Sequence, residues 1–148
     1  MRGVIRQNFY PADSKLAARS NDRILWIDCL GGLVVGCVVV GLCRPLSDLE
    51  NLPVSAVVFM GLTNLTYGGY SLYVTTRNPR PMILVQVLAI ANMCWLACCL
   101  VIVNIYWSQI STLGWLHVIG EGVYVASLGY LEWRWRYRLS APSSNAVG

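Results

Sequence analysis

The chain has 148 residues, of which 56% are hydrophobic and 12% are charged, whereas soluble domains carry about 25% charged residues. A water-soluble fold of this size could not bury so much apolar surface, so the composition favours an integral membrane protein. The formal net charge of +4 does not indicate a nucleic-acid partner, because the basic residues are distributed like those of a cytoplasmic membrane face.

The first predicted span covers residues 24–43 and holds a single charged residue, Asp28. About 20 residues of helix are needed to cross a hydrocarbon core, and this stretch is long enough. Gly32 and Gly36 lie four residues apart, a spacing that allows a neighbouring helix to approach closely. Pro45 is predicted to end the span, because proline cannot continue the ladder of helical hydrogen bonds.

The second and third predicted spans are separated by a tight break that contains two prolines. The second span covers residues 54–76 and carries Asn64 near its middle, with Tyr67 on the same helical face. The third span covers residues 82–107, the longest and most apolar run, and holds Asn92. At 1.5 Å of rise per residue, both asparagines are expected near the middle of the bilayer.

The fourth predicted span, residues 112–135, contains the polar residues that most need an explanation. His117 and Glu121 lie one helical turn apart, and Tyr124 continues the same face. A carboxyl group in lipid must either stay neutral or take hydrogen-bond partners. Asn64 and Asn92 on the preceding spans are suitable partners for Glu121.

These segments predict an all-α fold, an integral membrane bundle of four helices that run alternately up and down. No segment alternates as membrane strands do, and the short links make sequential helices antiparallel neighbours. The bundle is predicted over residues 24–136. A polar segment at residues 1–23 and a disordered tail at residues 137–148 are expected to lie in the cytoplasm.

The basic residues predict the orientation of the bundle. Four crossings place ten of the eleven lysines and arginines on the side that also holds both chain ends, and only Arg44 on the other. Positive residues stay cytoplasmic, so both termini are predicted inside a bacterial inner membrane. The ten residues are Arg2, Arg6, Lys15, Arg19, Arg23, Arg77, Arg80, Arg134, Arg136 and Arg138.

The intramembrane polar residues form the candidate site, and two interpretations stay open. In one, a small polar cavity holds a proton, an ion or a small molecule, with Glu121 as the titrating group and His117 as the relay. In the other, these side chains only join helices, at about 0.6 kcal/mol for each hydrogen bond. The candidate residues are Glu121, His117, Asn64, Asn92, Tyr67 and Tyr124.

Other polar residues near the cytoplasmic end are interpreted structurally. Asp28 is predicted to form an ion pair with Arg23, or with Arg134 or Arg136 of the last helix, and Arg134 is the named candidate. Glu132 is assigned to an aromatic helix end at the membrane interface. A metal site is not predicted, because His117 and Glu121 are only two ligands and the chain has no other histidine.

The six cysteines all lie in apolar runs, without the spacing of a disulfide framework or a zinc site. They are interpreted as small hydrophobic residues that allow close helix packing. The sequence contains no nucleotide-binding loop and no catalytic motif, and it predicts no cofactor.

Four stretches in the chain resemble small bacterial four-span membrane proteins that carry no assigned function. The resemblance covers about residues 23–136 and implies the four-span topology and a bacterial inner membrane, but no activity. The stretches are RxxxxD from Arg23, LPxxxxxFxGxxNLxYGxYS from Leu52, RPxxLxxxLxxAN from Arg80 and GExxYVxxLxxLEWRWR from Gly120.

Three functions are compatible with these observations. The first is a binding or accessory membrane component that acts through helix packing, with the lipid bilayer and a second copy or another membrane protein as partners. The second is a small oligomeric transporter or proton-coupled carrier that uses Glu121. The third is a thiol or quinone redox enzyme of the membrane, which needs paired cysteines.

Overall fold

The computed structural model describes residues 11–77 and 79–140, and this part of the chain is all-α. The predicted all-α class is therefore confirmed for the described residues, in which no strand occurs. The five helices are α1 (Pro11–Gly41), α2 (Cys43–Glu50), α3 (Val54–Thr76), α4 (Met82–Ile105) and α5 (Thr112–Leu139).

The helix ends follow local sequence signals. Pro53 and Pro81 directly precede α3 and α4, where the missing N–H of proline costs no helical hydrogen bond. Ser111 caps α5, because its hydroxyl oxygen accepts a hydrogen bond from the N–H of Gly114 at 3.1 Å. Serine is among the residues preferred at this position.

Several boundaries differ from the prediction. The stretch expected to link the first two spans forms the short helix α2, in which Pro45 sits in the first turn and is tolerated there. α1 begins at Pro11, inside the segment predicted to be a polar extension, and α5 continues to Leu139. Leu139 is fully buried, which explains why α5 continues beyond its predicted end. Residues 1–10 and 141–148 of the predicted terminal segments lie outside the described residues.

The long helices form two antiparallel pairs, α1 with α3 and α4 with α5. Glycines make the first pair close: a Cβ atom on Gly36 would lie 2.8 Å from the backbone N of Leu65 and 2.9 Å from the carbonyl oxygen of Gly61. The predicted close approach at Gly32 and Gly36 is therefore confirmed, and α3 is the helix that occupies this face.

The two pairs meet mainly through α1 and α5, whereas the sequential helices α3 and α4 touch only sparsely. The predicted neighbours α3 and α4 do contact each other, for example where the Tyr70 hydroxyl donates to the Leu84 carbonyl oxygen at 3.2 Å, but this contact is sparse. Most of their buried polar side chains make hydrogen bonds with α1 and α5, and a groove remains between α3 and α4.

Apolar side chains are buried in two clusters, one toward each end of the bundle. Met60, Trp95 and Val118 belong to the cluster near α2, and Leu25, Leu88 and Leu139 belong to the one at the opposite end. Buried polar residues lie between them. We call this set the polar layer, and its members are Asp28, Asn64, Tyr67, Ser71, Asn92, Glu121 and Glu132.

The outside of the bundle is strongly apolar. Val34, Ile83 and Ile105, for example, are 60%, 62% and 66% exposed. Among the described residues, two stretches are long and apolar enough to cross a membrane, Arg23–Gly41 and Met82–Ile105. The other two long helices are less apolar because they carry most of the residues of the polar layer.

Candidate functional site

Glu121 receives two hydrogen bonds inside the bundle. The Nδ2 of Asn64 donates to its Oε1 at 2.7 Å, and the indole Nε1 of Trp95 donates to the same oxygen at 2.9 Å. The side chain of Glu121 is only 8% exposed. Asn64 therefore partners Glu121, one of the two arrangements expected from the sequence, and Trp95 adds a donor that the sequence did not suggest.

His117 joins Glu121 to a second buried acid. Its Nδ1 lies 2.7 Å from Oε1 of Glu50, and its Nε2 lies 3.6 Å from Oε2 of Glu121. Glu50 is the last residue of α2 and is 2% exposed. Glu50 lies close to His117 because the backbone of α5 approaches Glu50 at Gly114, where an added Cβ atom would lie 2.8 Å from the Glu50 carbonyl oxygen.

Asp28 accepts hydrogen bonds from residues of two other helices. The hydroxyl groups of Tyr67 and Ser71 on α3 donate to its Oδ2 at 2.6 and 2.8 Å. The Nδ2 of Asn92 on α4 lies 3.3 Å from its Oδ1. Asp28 therefore lies at the point where the two helix pairs meet.

Asn92 does not reach Glu121, because its amide is shared by two other carboxyl groups. Its Nδ2 donates to Oε2 of Glu132 at 3.1 Å as well as to Asp28. Asn92 can reach Glu132 because α4 and α5 approach closely at Gly129, where an added Cβ atom would lie 2.6 Å from the Asn92 Cβ. Glu132 is fully buried, so its predicted place at an interfacial helix end is wrong.

The predicted ion pair of Asp28 with Arg134 is not formed. Arg134 is exposed, and Asp28 bonds to neutral donors. The physical reason is helix geometry: two residues correspond to about 200° of rotation, so Arg134 faces away from the bundle when Glu132 faces in.

A small cavity lies between the two groups of acids. Its volume is about 40 Å³, and Asp28, Asn64, Tyr67 and Glu121 are among its lining residues. A water molecule occupies about 30 Å³ in the liquid and needs two to four polar partners. The cavity is therefore large enough for one water molecule, and Glu121 and Asp28 both line it. Tyr124 also lines it, although half of this side chain is exposed.

A larger groove lies on the opposite side of Asn64 and Tyr67, between α3 and α4. Its volume is about 620 Å³, within the range of small-molecule sites. Asn64, Tyr67, Asn92 and Trp95 contribute its polar and aromatic groups. The remaining lining residues are Phe59, Leu62, Thr63, Thr66, Tyr70, Ala91 and Val125.

The charge of the site depends on which groups donate hydrogen bonds to its buried acids. The carboxyl groups of Asp28, Glu121 and Glu132 receive hydrogen bonds from amide, hydroxyl and indole groups. Within the part of the chain that the structure describes, His117 is the one basic side chain in contact with a buried acid. The neutral donors to Asp28 and Glu132 leave the charge of these two acids uncompensated when they ionise, so the site can take up protons or attract a cation.

The described residues contain no metal-binding cluster and no disulfide bond. The described residues contain no cluster of three or more histidine, cysteine or acidic side chains that could hold a metal ion. All six cysteines are free thiols; Cys29 and Cys99 are buried, while Cys37, Cys94 and Cys98 are exposed.

Two of the acids in the site were missed by sequence reasoning. For Glu132 a signal exists: it follows Glu121 by 11 residues, about three helical turns, so both acids share one face of α5. Glu50 lies in a stretch that the sequence marks as a link, and no periodic pattern connects it to His117.

No family model matches this chain, and neither does any curated protein or solved structure.

Proposed function

We propose that this chain is an integral membrane protein that crosses a bacterial inner membrane four times and carries protons through its core. The distribution of polarity supports the membrane assignment. Large apolar side chains cover the outside, while Asp28, Glu50 and Glu132 are buried. In water this arrangement would expose a large apolar surface, whereas in lipid the apolar outside is favourable and costly polar groups belong inside the bundle.

The lengths of the helices fit four crossings. α3 has 23 residues and α5 has 28, which correspond to about 35 and 42 Å of helix. A hydrocarbon core is about 30 Å thick. Their lower hydropathy is compatible with crossing, because Asn64, Ser71 and Glu132 are buried inside the bundle instead of facing lipid.

The distribution of basic residues supports cytoplasmic termini. The break between α3 and α4 and the end of α5 carry Arg77, Arg80, Arg134, Arg136 and Arg138. The opposite end, formed by α2 and the link before α5, carries Arg44. The cytoplasmic side of a membrane protein is the side rich in lysine and arginine.

One observation carries the proton function: four buried carboxyl groups and His117 follow one another from one end of the bundle toward the other. The series runs from Glu50 through His117 to Glu121, and from there across the small cavity to Asp28 and Glu132. Carboxyl and imidazole groups exchange protons, and hydrogen-bonded chains of such groups form the proton relays of membrane pumps and transporters.

Glu121 is the central group of this series. It lies between His117 on the side of α2 and the cavity on the side of Asp28. A proton received from His117 would bind the Glu121 carboxylate, and a water molecule in the cavity would pass it to Asp28. Asn92 then joins Asp28 to Glu132, because its Nδ2 lies 3.3 Å from the first carboxyl group and 3.1 Å from the second, and Glu132 would receive the proton on the cytoplasmic side of the polar layer.

The other two candidate functions draw less support. An accessory role through helix packing would use the glycine face of α1, but α3 occupies that face. A thiol redox enzyme needs paired cysteines, and the six cysteines are free.

The test is proton flux into liposomes that contain the purified full-length protein and an entrapped pH-sensitive dye. A potassium gradient with valinomycin makes the interior negative and drives protons inward. Replacement of Glu121 by Gln keeps an oxygen that accepts from Asn64 and Trp95 but removes the exchangeable proton. We expect the flux to fall at least about tenfold in this variant, because proton transfer by a positioned group contributes that much or more.

Asp48→Asn provides the matched control, because Asp48 is an exposed acid on α2 that lies outside the series. Its flux should equal that of the wild type. Wild-type flux no faster than that of empty liposomes, or equal flux in the wild type and Glu121→Gln, would contradict the proposal.

A further inference from the structure

The groove between α3 and α4 has the properties of a ligand site, and we infer that it binds a lipophilic amine in its protonated form. This inference rests on the proposed function for one point, the position of the groove within the bilayer. There its open side faces the acyl chains, and a ligand would enter from the membrane instead of from water.

A residue that lines the groove carries an unpaired polar atom, which indicates the chemistry of the ligand head. Asn92 lines the groove and is 1% exposed, and its Oδ1 has no hydrogen-bond partner. A buried carbonyl oxygen without a partner costs about 1–3 kcal/mol. A ligand that donates a hydrogen bond would remove this cost, so the head should carry an N–H or O–H group.

The charge of the surroundings selects an amine over a hydroxyl group. Behind Asn92 lie the carboxyl groups of Asp28 and Glu132, which share its amide. Behind Asn64 and Trp95 lies Glu121. Among the described residues, Asp28 and Glu132 receive hydrogen bonds only from neutral donors, whereas Glu121 also has His117 Nε2 at 3.6 Å. An ammonium group at the groove therefore compensates the negative charge of Asp28 and Glu132 more effectively than a neutral head.

The walls of the groove fit the rest of such a molecule. Phe59, Tyr67, Tyr70 and Trp95 supply four aromatic rings, and Leu62 adds an aliphatic side chain. Aromatic faces attract cations and stack on flat apolar bodies. The volume of about 620 Å³ accommodates a molecule of drug-like size.

Binding of the ammonium would be linked to release of a proton. When a protonated amine enters beside a neutral carboxyl group, that group loses its proton and the charge of the site is unchanged. The carboxyl series would conduct the released proton away, so the amine and the proton would occupy the core alternately.

The experiment uses full-length protein in lipid nanodiscs and dansylcadaverine, a fluorescent primary amine with a flat apolar body. Its N-acetylated form, which has the same body without the charge, is the matched probe. We expect the amine to bind at least about tenfold more tightly than the acetylated form, because a hydrogen bond to a charged group contributes at least that much affinity. Binding in weakly buffered solution should also release protons, up to about one per amine bound.

A variant that blocks the groove without altering the polar layer makes the test specific. Leu62→Trp fills the groove from its exposed side and should weaken binding of the amine at least about tenfold. Val34→Trp, a replacement at an equally exposed apolar position on α1 outside the groove, should leave binding within about twofold.

Three results would overturn the inference: equal affinity for the two probes, binding to empty nanodiscs only, or unchanged binding in Leu62→Trp. These outcomes are distinct from failure of the proton function. Amine binding without liposome flux would refute the proton pathway alone, whereas flux without amine binding would refute the groove site alone.

Discussion

The Nδ2 of Asn64 lies 2.7 Å from Oε1 of Glu121, so a hydrogen bond joins α3 of one helix pair to α5 of the other. The backbones of α3 and α4 approach closely at few positions, because the groove separates these helices near the middle of the bundle. Polar side chains, Asn64 with Glu121 and Asn92 with Asp28, therefore hold the pairs together at the middle of the bundle.

Loss of the Asn64 amide should weaken this connection. In Asn64→Ala, Glu121 Oε1 keeps only Trp95 as a donor, and we expect the free energy of unfolding to fall by about 1 kcal/mol. The measurement is loss of helical circular dichroism during titration of detergent micelles with SDS. Thr66→Ala is the control, because the Thr66 hydroxyl donates within its own helix to the Leu62 carbonyl oxygen. Equal stability of Asn64→Ala and Thr66→Ala would argue against a contribution of the Asn64–Glu121 bond.

Gly129 should be intolerant of even one added carbon atom. The Cβ of Gly129→Ala would lie 2.6 Å from the Asn92 Cβ and 2.7 Å from the Ala89 carbonyl oxygen, so α4 and α5 must move apart. We expect a loss of about 1–3 kcal/mol in the same unfolding titration, the usual cost of overpacking. Gly120→Ala is the control: no atom lies within 4 Å of the added carbon, and alanine favours helix by up to about 1 kcal/mol. A Gly129→Ala protein as stable as Gly120→Ala would refute the close packing.

Two exposed cysteines test whether the surface of the bundle faces lipid. Cys94 and Cys98 are exposed near the middle of α4. In intact membranes, a charged and membrane-impermeant maleimide should leave both unmodified, since neither the reagent nor a thiolate enters hydrocarbon. After unfolding in SDS, both should react, which mass spectrometry of the peptides would measure. Modification of either residue in intact membranes would mean that this face contacts water.

Added cysteines test the orientation of the chain. Gln109→Cys lies in the exposed link before α5 and Arg77→Cys lies in the break after α3, on opposite sides of the membrane in the proposed topology. In intact cells, impermeant maleimide should label Gln109→Cys, whereas Arg77→Cys should react only after the cells are opened. Labelling of both from outside, or the reverse pattern, would contradict cytoplasmic termini.

The helices were predictable because their signals are local. The predicted span at residues 54–76 coincides with α3, and the third and fourth begin at Met82 and Thr112, as α4 and α5 do. Proline breaks and the Ser111 cap act within a few residues, so they can be read from the chain alone. The short helix α2 was missed because its polar composition resembles that of a link.

The sequence by itself determined which side chains need a partner inside an apolar bundle, since a carboxyl or amide group in such surroundings is costly wherever the helices pack. Asn64, Asn92, Glu121 and His117 could be selected on that ground. Only the tertiary structure decided which side chains form hydrogen bonds with each other. Asn64 and Trp95 donate to Glu121. Asn92 links Asp28 to Glu132, and Glu50 contacts His117. These pairings depend on helix rotation and on close approaches at Gly114 and Gly129, and a rotation of one residue, about 100°, would exchange every partner.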